Sequence, residues 1–345
     1  DLATARRSLK GAGPSSTSAL AFGGLTPSVT AATEEFSFPS APGVQAGQIW
    51  IKTATGVDTV MKGYQQKGTG AWSSGGNLNS GRNVNQGSAG TQTANLIFGG
   101  YTTTHVAVTE SYDGSSWTEV NALNTGRRDI GGFGTSTATI GAAGYTTTHL
   151  DSVESWNGTS WTEITEVNTA KEGRGGYGTS TSGAVVGGSP HVAINEHWDG
   201  SSWTEVGDLN TARYNSATGG TYTAGIAVSG EKSPPTPKAT VLNESWDGSS
   251  WTEEADTNTA RTGTTCGNGT QNMFLIAGGN TTANVESWNG TSWTEVANLS
   301  ASRSGQGGGK SGSSSLAAIS SGGGSQNAST EEWDVPFATK TFGTD

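Results

Sequence analysis

One tryptophan-bearing motif recurs five times along this chain and limits what the chain can fold into. The first copy reads ESYDGSSWTEV, and the others differ from it at only a few positions. The copies start 42–48 residues apart and occupy residues 110–120, 154–164, 196–206, 244–254 and 286–296. Repetition at this period indicates a fold assembled from copies of one four-stranded unit, as in the blades of a β-propeller.

A second marker, typified by LNTAR, follows each tryptophan after a short interval. Its last residue is Arg82, Arg127, Lys171, Arg213, Arg261 or Arg303. Between the markers each repeat has a Gly/Ser/Thr-rich stretch, a short apolar run closed by small residues, and a run ending in an aromatic residue. In one repeat these are GSAGTQT, ANLIFGG and VTESY. We expect them to form strands A, B and C, with WTEV as strand D.

The connection between strands C and D is predicted to be a tight hairpin, because Asp-Gly and Asn-Gly favour the positive backbone dihedrals of such turns. Antiparallel pairing then places the tryptophans that flank the turn on one face of the blade. We expect these side chains to form the packing layers between blades. They are Trp117, Trp156, Trp161, Trp198, Trp203, Trp246, Trp251, Trp288, Trp293 and Trp333.

Counting strand sets predicts an all-β, seven-bladed propeller of four-stranded antiparallel blades, formed by residues 1–36 and 71–345. Blade one would take strands A to C from residues 5–36 and strand D from AWSS at 71–74. Residues 37–70 would be an inserted β-hairpin segment, serving as an attachment module. The seventh blade would end with FATKTF at 337–342 as its strand D, so that no strand is borrowed to close the ring.

Composition narrows the function classes. The chain has 54 glycines and 31% hydrophobic residues, a balance that indicates disorder unless a repeat organises it. The net charge of −11 argues against binding of nucleic acid. No run of eighteen apolar residues occurs, so no membrane insertion is expected. The single cysteine, Cys266, excludes a cysteine-cluster metal site, and a packed thiol is favoured over a nucleophile.

The Gly-Gly pairs at 99–100, 187–188 and 278–279, together with the tryptophan positions, resemble a kelch-type propeller repeat. The LNTAR, DGSSWTE and GTQTA phrases resemble repeat proteins of tailed phages that infect marine cyanobacteria. GQIWIKTATGVDTVMKGY, at 47–64, is similar to β-hairpin modules of phage tail fibres. The resemblance implies a virion protein, in a fibre or decoration role and present in several copies, that lies at the virion surface beside other virion proteins.

The sequence offers less support for an enzyme than for a binding protein. In SYDGSSW, at 111–117, the glycine stands one residue too early for a sialidase Asp box. His105, His149 and His191 occupy one position in three successive repeats, too far apart for ligands that must lie about 2 Å from one metal. The recurring arginines are expected to be structural, either donating to exposed carbonyls or pairing with glutamates such as Glu119 or Glu163, and Lys171 indicates that a lysine is tolerated. No catalytic residue, metal or cofactor is expected.

The B-to-C loops diverge while the C-to-D turns are nearly identical, and variable loops on a rigid scaffold are where recognition usually resides. Candidate ligand-binding residues in these loops are Tyr101, His105, Tyr145, His149 and His191. We therefore expect a non-enzymatic protein that adheres to a host-surface glycan or protein by multivalent contacts. Two alternatives remain: a purely structural spacer of the virion, and a glycan-degrading enzyme.

Overall fold

A computed structural model describes residues 68–82, 87–233, 238–263, 266–279, 282–309, 315–324 and 326–337 in full. Elsewhere it describes backbone strands alone. These are Lys10–Ser15, Ser18–Phe22, Thr33–Ser37, Ile49–Lys52, Val60–Gln66 and Phe337–Phe342. The chain divides into two compact units. One is the propeller, Gly68–Pro336, and the other comprises Asp1–Lys67 with Phe337–Asp345.

The propeller has six blades, each a four-stranded antiparallel sheet. Blade one contains Gly87–Gly90, Asn95–Phe98, Thr109–Tyr112 and Trp117–Val120, and blade two Gly131–Thr135, Ala138–Tyr145, His149–Trp156 and Trp161–Ile164. Blade three contains Gly175–Thr179, Ser182–Val186, Asn195–Trp198 and Trp203–Val206, and blade four Ala217–Thr221, Ala224–Val228, Asn243–Trp246 and Trp251–Glu253. Blade five contains Gly267–Thr270, Met273–Ala277, Val285–Trp288 and Trp293–Val296, and blade six Gly307–Gly308, Ala317–Ser321, Thr330–Asp334 and Ala71–Ser74. The prediction of an all-β propeller with four-stranded blades is confirmed.

The predicted count of seven blades is wrong, and the strand Ala71–Ser74 shows why. It pairs with Thr330–Asp334, so that Trp72 lies opposite Trp333. The strand is thus the D strand of the last blade rather than of the first. The ring is therefore closed by backbone hydrogen bonds between the two ends of the propeller unit, and not by side-chain packing alone.

The second unit contains the strands that the sequence analysis assigned to blades one and seven. Lys10–Ser15, Ser18–Phe22 and Thr33–Ser37 form a three-stranded antiparallel sheet outside the propeller. Phe337–Phe342 pairs with Val60–Gln66, which also pairs with Ile49–Lys52 in a hairpin. Residues 337–342 are therefore not a blade strand, and the hairpin is not inserted in a blade.

The A strands surround the propeller axis and are small because they approach one another closely. The hydroxyl of Thr218 donates to the carbonyl of Gly176 in the preceding blade at 2.9 Å. The ring closes where the amide of Gly308 donates to Oγ of Ser88 at 3.2 Å. Glycine suits this place because a Cβ on Gly176 would collide with the backbone of Gly132.

Tryptophan pairs fill the layers between blades. The nine tryptophans of the motif copies and Trp333 are buried, and Trp156 lies directly opposite Trp161 in the register, with ring centroids 5.4 Å apart. Trp161 also packs on Phe98 of blade one and donates from Nε1 to Thr109 there. The D-strand tryptophans of blades one to five each contact the preceding blade in this way.

The C-to-D turns have four residues and are stabilised by their first side chain. Oδ1 of Asp113 accepts hydrogen bonds from the amides of Ser115 and Ser116, both at 2.8 Å. These bonds lower the pKa of Asp113 to about 2, because they favour the charged carboxylate. Asn157 accepts the equivalent bonds in blade two. Asp and Asn are therefore interchangeable at this position.

A buried arginine–glutamate pair joins every blade to the next. Arg127, for example, lies 3.0 Å from Glu154 on strand C of blade two, and Oε2 of the same glutamate accepts from the amide of Asn124. We call each such set a clamp. The six pairs are Arg82–Glu110, Arg127–Glu154, Arg174–Glu196, Arg213–Glu244, Arg261–Glu286 and Arg303–Glu331. The expected partners Glu119 and Glu163 were wrong, because the clamp uses the glutamate of strand C instead.

The third clamp corrects the interpretation of Lys171. Lys171 occupies the motif position, but Arg174 forms the ion pair with Glu196, at 2.7 Å. Arg174 also donates from Nε to the carbonyl of Gly187. Burial lowers the pKa of Arg174, and the charge of Glu196 opposes that shift. An arginine is therefore retained in every clamp, and Lys171 is no evidence that a lysine can replace it.

Candidate functional site

The D-to-A connections run between the B-to-C loops of neighbouring blades on one face of the propeller. Arg127 accepts a backbone hydrogen bond from Gly100 of blade one, while the next residue, Arg128, pairs with Tyr145 of blade two. The same pairing recurs between Glu172 and Ser189 in blade three. Loops and connections therefore alternate around this face, which we call the loop face.

The connections present one variable side chain each on a repeated backbone turn. The residue that follows the variable position has a positive φ in five connections, and it is always Asp, Asn or Gly, which adopt that conformation most easily. These residues are Asp129, Gly173, Asn215, Gly263 and Gly305. The amide of Gly173 donates to the carbonyl of Asp129, and that of Asn215 to Gly173. The turn is constant, while the residue it presents is Arg128, Glu172, Tyr214, Thr262 or Ser304.

Four of the predicted binding residues form a row of ring contacts. Tyr101 meets His105 at 5.4 Å between ring centroids, and His105 meets Tyr145 of the next blade at 5.9 Å. Tyr145 meets His149 at 5.8 Å. All three contacts are edge-on, and the four side chains are half-buried, so part of each ring faces solvent.

Arg128 lies between the two tyrosines. Its guanidinium carbon is 4.8 Å from the ring centre of Tyr145 and 5.9 Å from that of Tyr101. Its Nε lies 3.4 Å from a carboxylate oxygen of Asp129. Desolvation, followed by the nearby charge of Arg128, lowers the pKa of His105, so this imidazole is neutral at physiological pH.

The row continues toward blade three through an imidazole–carboxylate pair. Nε2 of His149 lies 3.6 Å from Oε1 of Glu172. His149 is the more open of the two, with a side chain 36% exposed against 18% for Glu172. This pair presents both a hydrogen-bond donor and an acceptor beside the aromatic rings.

His191 sits in a second cluster farther along the loop face. Its ring meets that of Tyr214 at 5.1 Å, and its Nε2 lies 3.9 Å from Glu231. Burial and a hydrogen bond to Glu231 raise the pKa of Tyr214. Lys238 lies 3.6 Å from the same glutamate. The second cluster thus combines two half-buried rings with a carboxylate shared by a histidine and a lysine.

Sequence reasoning placed its five candidates on one face but missed four of their neighbours. Arg128, Glu172 and Tyr214 come from the D-to-A connections, and Glu231 from the B-to-C loop of blade four. The sequence contains a pattern that could have identified Arg128, Glu172 and Tyr214. The position after the last residue of the LNTAR marker changes from repeat to repeat, while the marker around it stays nearly constant.

Other reactive groups lie in the interior. Cys266 is buried, and its thiol contacts the carbonyl of Ile319 at 3.3 Å. His197 is buried against Tyr222, with ring centroids 4.3 Å apart, and desolvation lowers its pKa to about 4. Within the described ranges no three His, Cys, Asp or Glu side chains group as metal ligands. The same ranges contain no helix long and apolar enough to cross a membrane.

The face opposite the loop face has a shallow cavity of about 390 Å³ at the A-to-B turns of blades three to five. Thr179, Thr221, Tyr222 and Thr270 line it, together with glycines and Ser182. No charged side chain contributes to its walls. The cavity therefore offers hydroxyl groups and one ring, and much less chemical variety than the loop face.

No protein-family model and no curated protein matches this sequence.

Proposed function

We propose that this propeller is a non-enzymatic recognition domain that binds a surface glycan through its loop face. The observation that carries the proposal is the row formed by Tyr101, His105, Tyr145 and His149, in which half-exposed rings from two blades meet edge to edge. Aromatic rings offer sugars an apolar surface at a small cost in conformational entropy. His105, being neutral, adds hydrogen-bonding capacity without a charge to desolvate.

The biological setting in this proposal is the surface of a tailed phage, in a fibre or decoration protein with kelch-like blades. The support for it is the resemblance of the LNTAR and DGSSWTE phrases to phage repeat proteins. Several copies on one particle would convert weak single-site binding into stable attachment to a host, because each later contact is intramolecular. Residues 37–70 would contribute to attachment to neighbouring virion proteins.

The test is binding of the purified chain, presented as a multimer, to a glycan array and to whole host cells. Saturable binding that is lost in Tyr101→Ala and Tyr145→Ala would support recognition by the loop face. Tyr222→Ala is the matched control, because it removes a half-exposed tyrosine ring from the opposite face. Thermal unfolding of each variant separates loss of contact from loss of fold.

Two results would contradict the proposal. Absence of binding to any glycan or host cell would favour a structural spacer in the virion. Release of reducing sugar from a bound polysaccharide would favour a glycan-degrading enzyme.

A further inference from the structure

We infer that the glycan bound by the loop face is acidic, and that Arg128 receives its carboxylate or sulfate group. This inference rests on the proposed function and names the ligand class for the same site. It starts from the contrast between Arg128 and the clamp arginines. Arg127, its neighbour in the chain, has a fully buried side chain paired with Glu154, whereas the side chain of Arg128 is 29% exposed.

The guanidinium of Arg128 is held in place from below and from one side. The ring of Tyr145 lies under it at 4.8 Å, and Asp129 takes its Nε edge at 3.4 Å. Nε itself is shielded from solvent. The two terminal nitrogens make no hydrogen bond to any residue in the described ranges. The terminal nitrogens therefore remain as two donors of a planar fork, the geometry that suits an oxyanion.

Neither nearby carboxylate pairs with the terminal nitrogens of Arg128. Asp129 is buried and lies on the Nε side. Glu172 is paired with His149 at 3.6 Å. Arg128 is therefore the group on this part of the face whose charge faces solvent without an ion-pair partner on its outer edge.

The aromatic rings provide the second half of the site. Tyr101 and Tyr145 flank the guanidinium, so a sugar ring packed on either tyrosine would bring a ring substituent within reach of Arg128. Holding the guanidinium by stacking reduces the entropy lost when a ligand binds. The combination of stacking surface and oriented fork distinguishes an acidic sugar from a neutral one.

The probes are oligogalacturonate, its carboxyl-reduced neutral counterpart, and a sulfated galactan oligosaccharide, each titrated against the multimeric full chain. We expect the wild type to bind the acidic probes about tenfold or more tightly than the neutral one, as for a charge-assisted pair. Arg128→Gln should abolish that preference, because it should weaken binding of the acidic probes about tenfold more than binding of the neutral one. Arg128→Lys should recover only part of the preference, because a lysine lacks the planar fork. Lys171→Gln is the charge-matched control, since Lys171 also lies in a D-to-A connection and its side chain has no polar partner in the described ranges.

The outcomes separate this inference from the proposed function. Equal binding of acidic and neutral probes would overturn the acidic ligand and leave glycan recognition standing. Equal loss of both in Arg128→Gln would also overturn it, because Arg128 would then only position the tyrosines. Binding of none of the probes, while other glycans on the array bind through Tyr101, would overturn the inference alone. Failure of every glycan would overturn both. A preference for the sulfated or the carboxylated probe identifies the anion.

Discussion

Arg127 and Arg128 are neighbours in the chain, yet they belong to two regions with opposite character. Arg127 is buried in a clamp that recurs at every junction between blades. Arg128 occupies a position on the loop face that differs in each connection. Because the repeat is conserved between blades in the interior, the same arginine–glutamate clamp stabilises all six junctions. It leaves the adjacent position free to carry a different side chain in each blade.

The same comparison separates two parts of the loop face. Blades one to four contribute tyrosine, histidine, arginine and glutamate side chains to it. The equivalent connections toward blades five and six present Thr262 and Ser304. Among the described residues of the loop face, chemical variety is therefore concentrated on one side of a nearly symmetric scaffold.

The largest expected effect comes from breaking one clamp. Arg174→Ala leaves Glu196 buried without its partner, and we expect a loss of about 3–5 kcal/mol in the free energy of unfolding. Lys171→Ala, at the motif position, should change stability by about 0.5 kcal/mol or less, as is usual for a surface substitution. Urea denaturation measures both. Equal effects would mean that the clamp is not the arginine–glutamate pair described here.

His197 makes the interior of blade three different from the others, because the ESY and ESW copies have Ser at this position and blade six has Glu332. Burial lowers its pKa to about 4, so the unfolded chain, with a value near 6.5, binds the proton first as pH falls. Stability should therefore decrease between about pH 6.5 and pH 4, by up to about 3 kcal/mol. His197→Ser should flatten that part of the profile, although it also removes ring packing. An unchanged slope would exclude His197 as its source.

Closure of the ring predicts a coupling between Trp72 and Trp333. Their rings lie 5.5 Å apart although they are 261 residues apart in the chain. A double-mutant cycle with alanine should give a coupling energy of about 1 kcal/mol, as for other aromatic pairs. Additive effects would argue that Ala71–Ser74 is not the last strand of blade six.

The smallest effect is expected at the variable positions without rings or charges. Thr262→Ala and Ser304→Ala should leave glycan binding unchanged and shift stability by about 0.5 kcal/mol or less. Binding titrations of these variants beside Arg128→Gln test whether recognition is confined to blades one to four. A large loss in Thr262→Ala would extend the binding surface around the ring.

The sequence predicted strand types better than strand partners. AWSS, at 71–74, was correctly expected to be a D strand, but TEEF at 33–36 and TEEW at 330–333 are nearly identical candidates for its neighbour. Local pattern cannot choose between them, because pairing is decided by which strand the closed ring brings alongside. The extra blade in the prediction came from this choice.

The candidate site was also predicted only in part. The five predicted residues could be placed on one face because strand direction alternates. Arg128, Glu172 and Tyr214 could not be placed beside them, because their position depends on a backbone turn around Asp129, Gly173 and Asn215. Lys171 was misread for a related reason: the arginine of that clamp comes three residues later than in the other repeats.

The pairing of Ala71–Ser74 with Thr330–Asp334 has a consequence for how the propeller can be transferred between chains. It brings the start and the end of the propeller unit together on one blade, and outside that unit Phe337 pairs with Gln66. In the chain, the propeller is the connection between strands Val60–Gln66 and Phe337–Phe342. Because the first and last strands of the folded propeller are already paired, the length of this connection adds little to the entropy cost of bringing its two ends together. A cassette of this kind can be exchanged for another folded unit, or for a short turn, without changing the register of the strands that carry it.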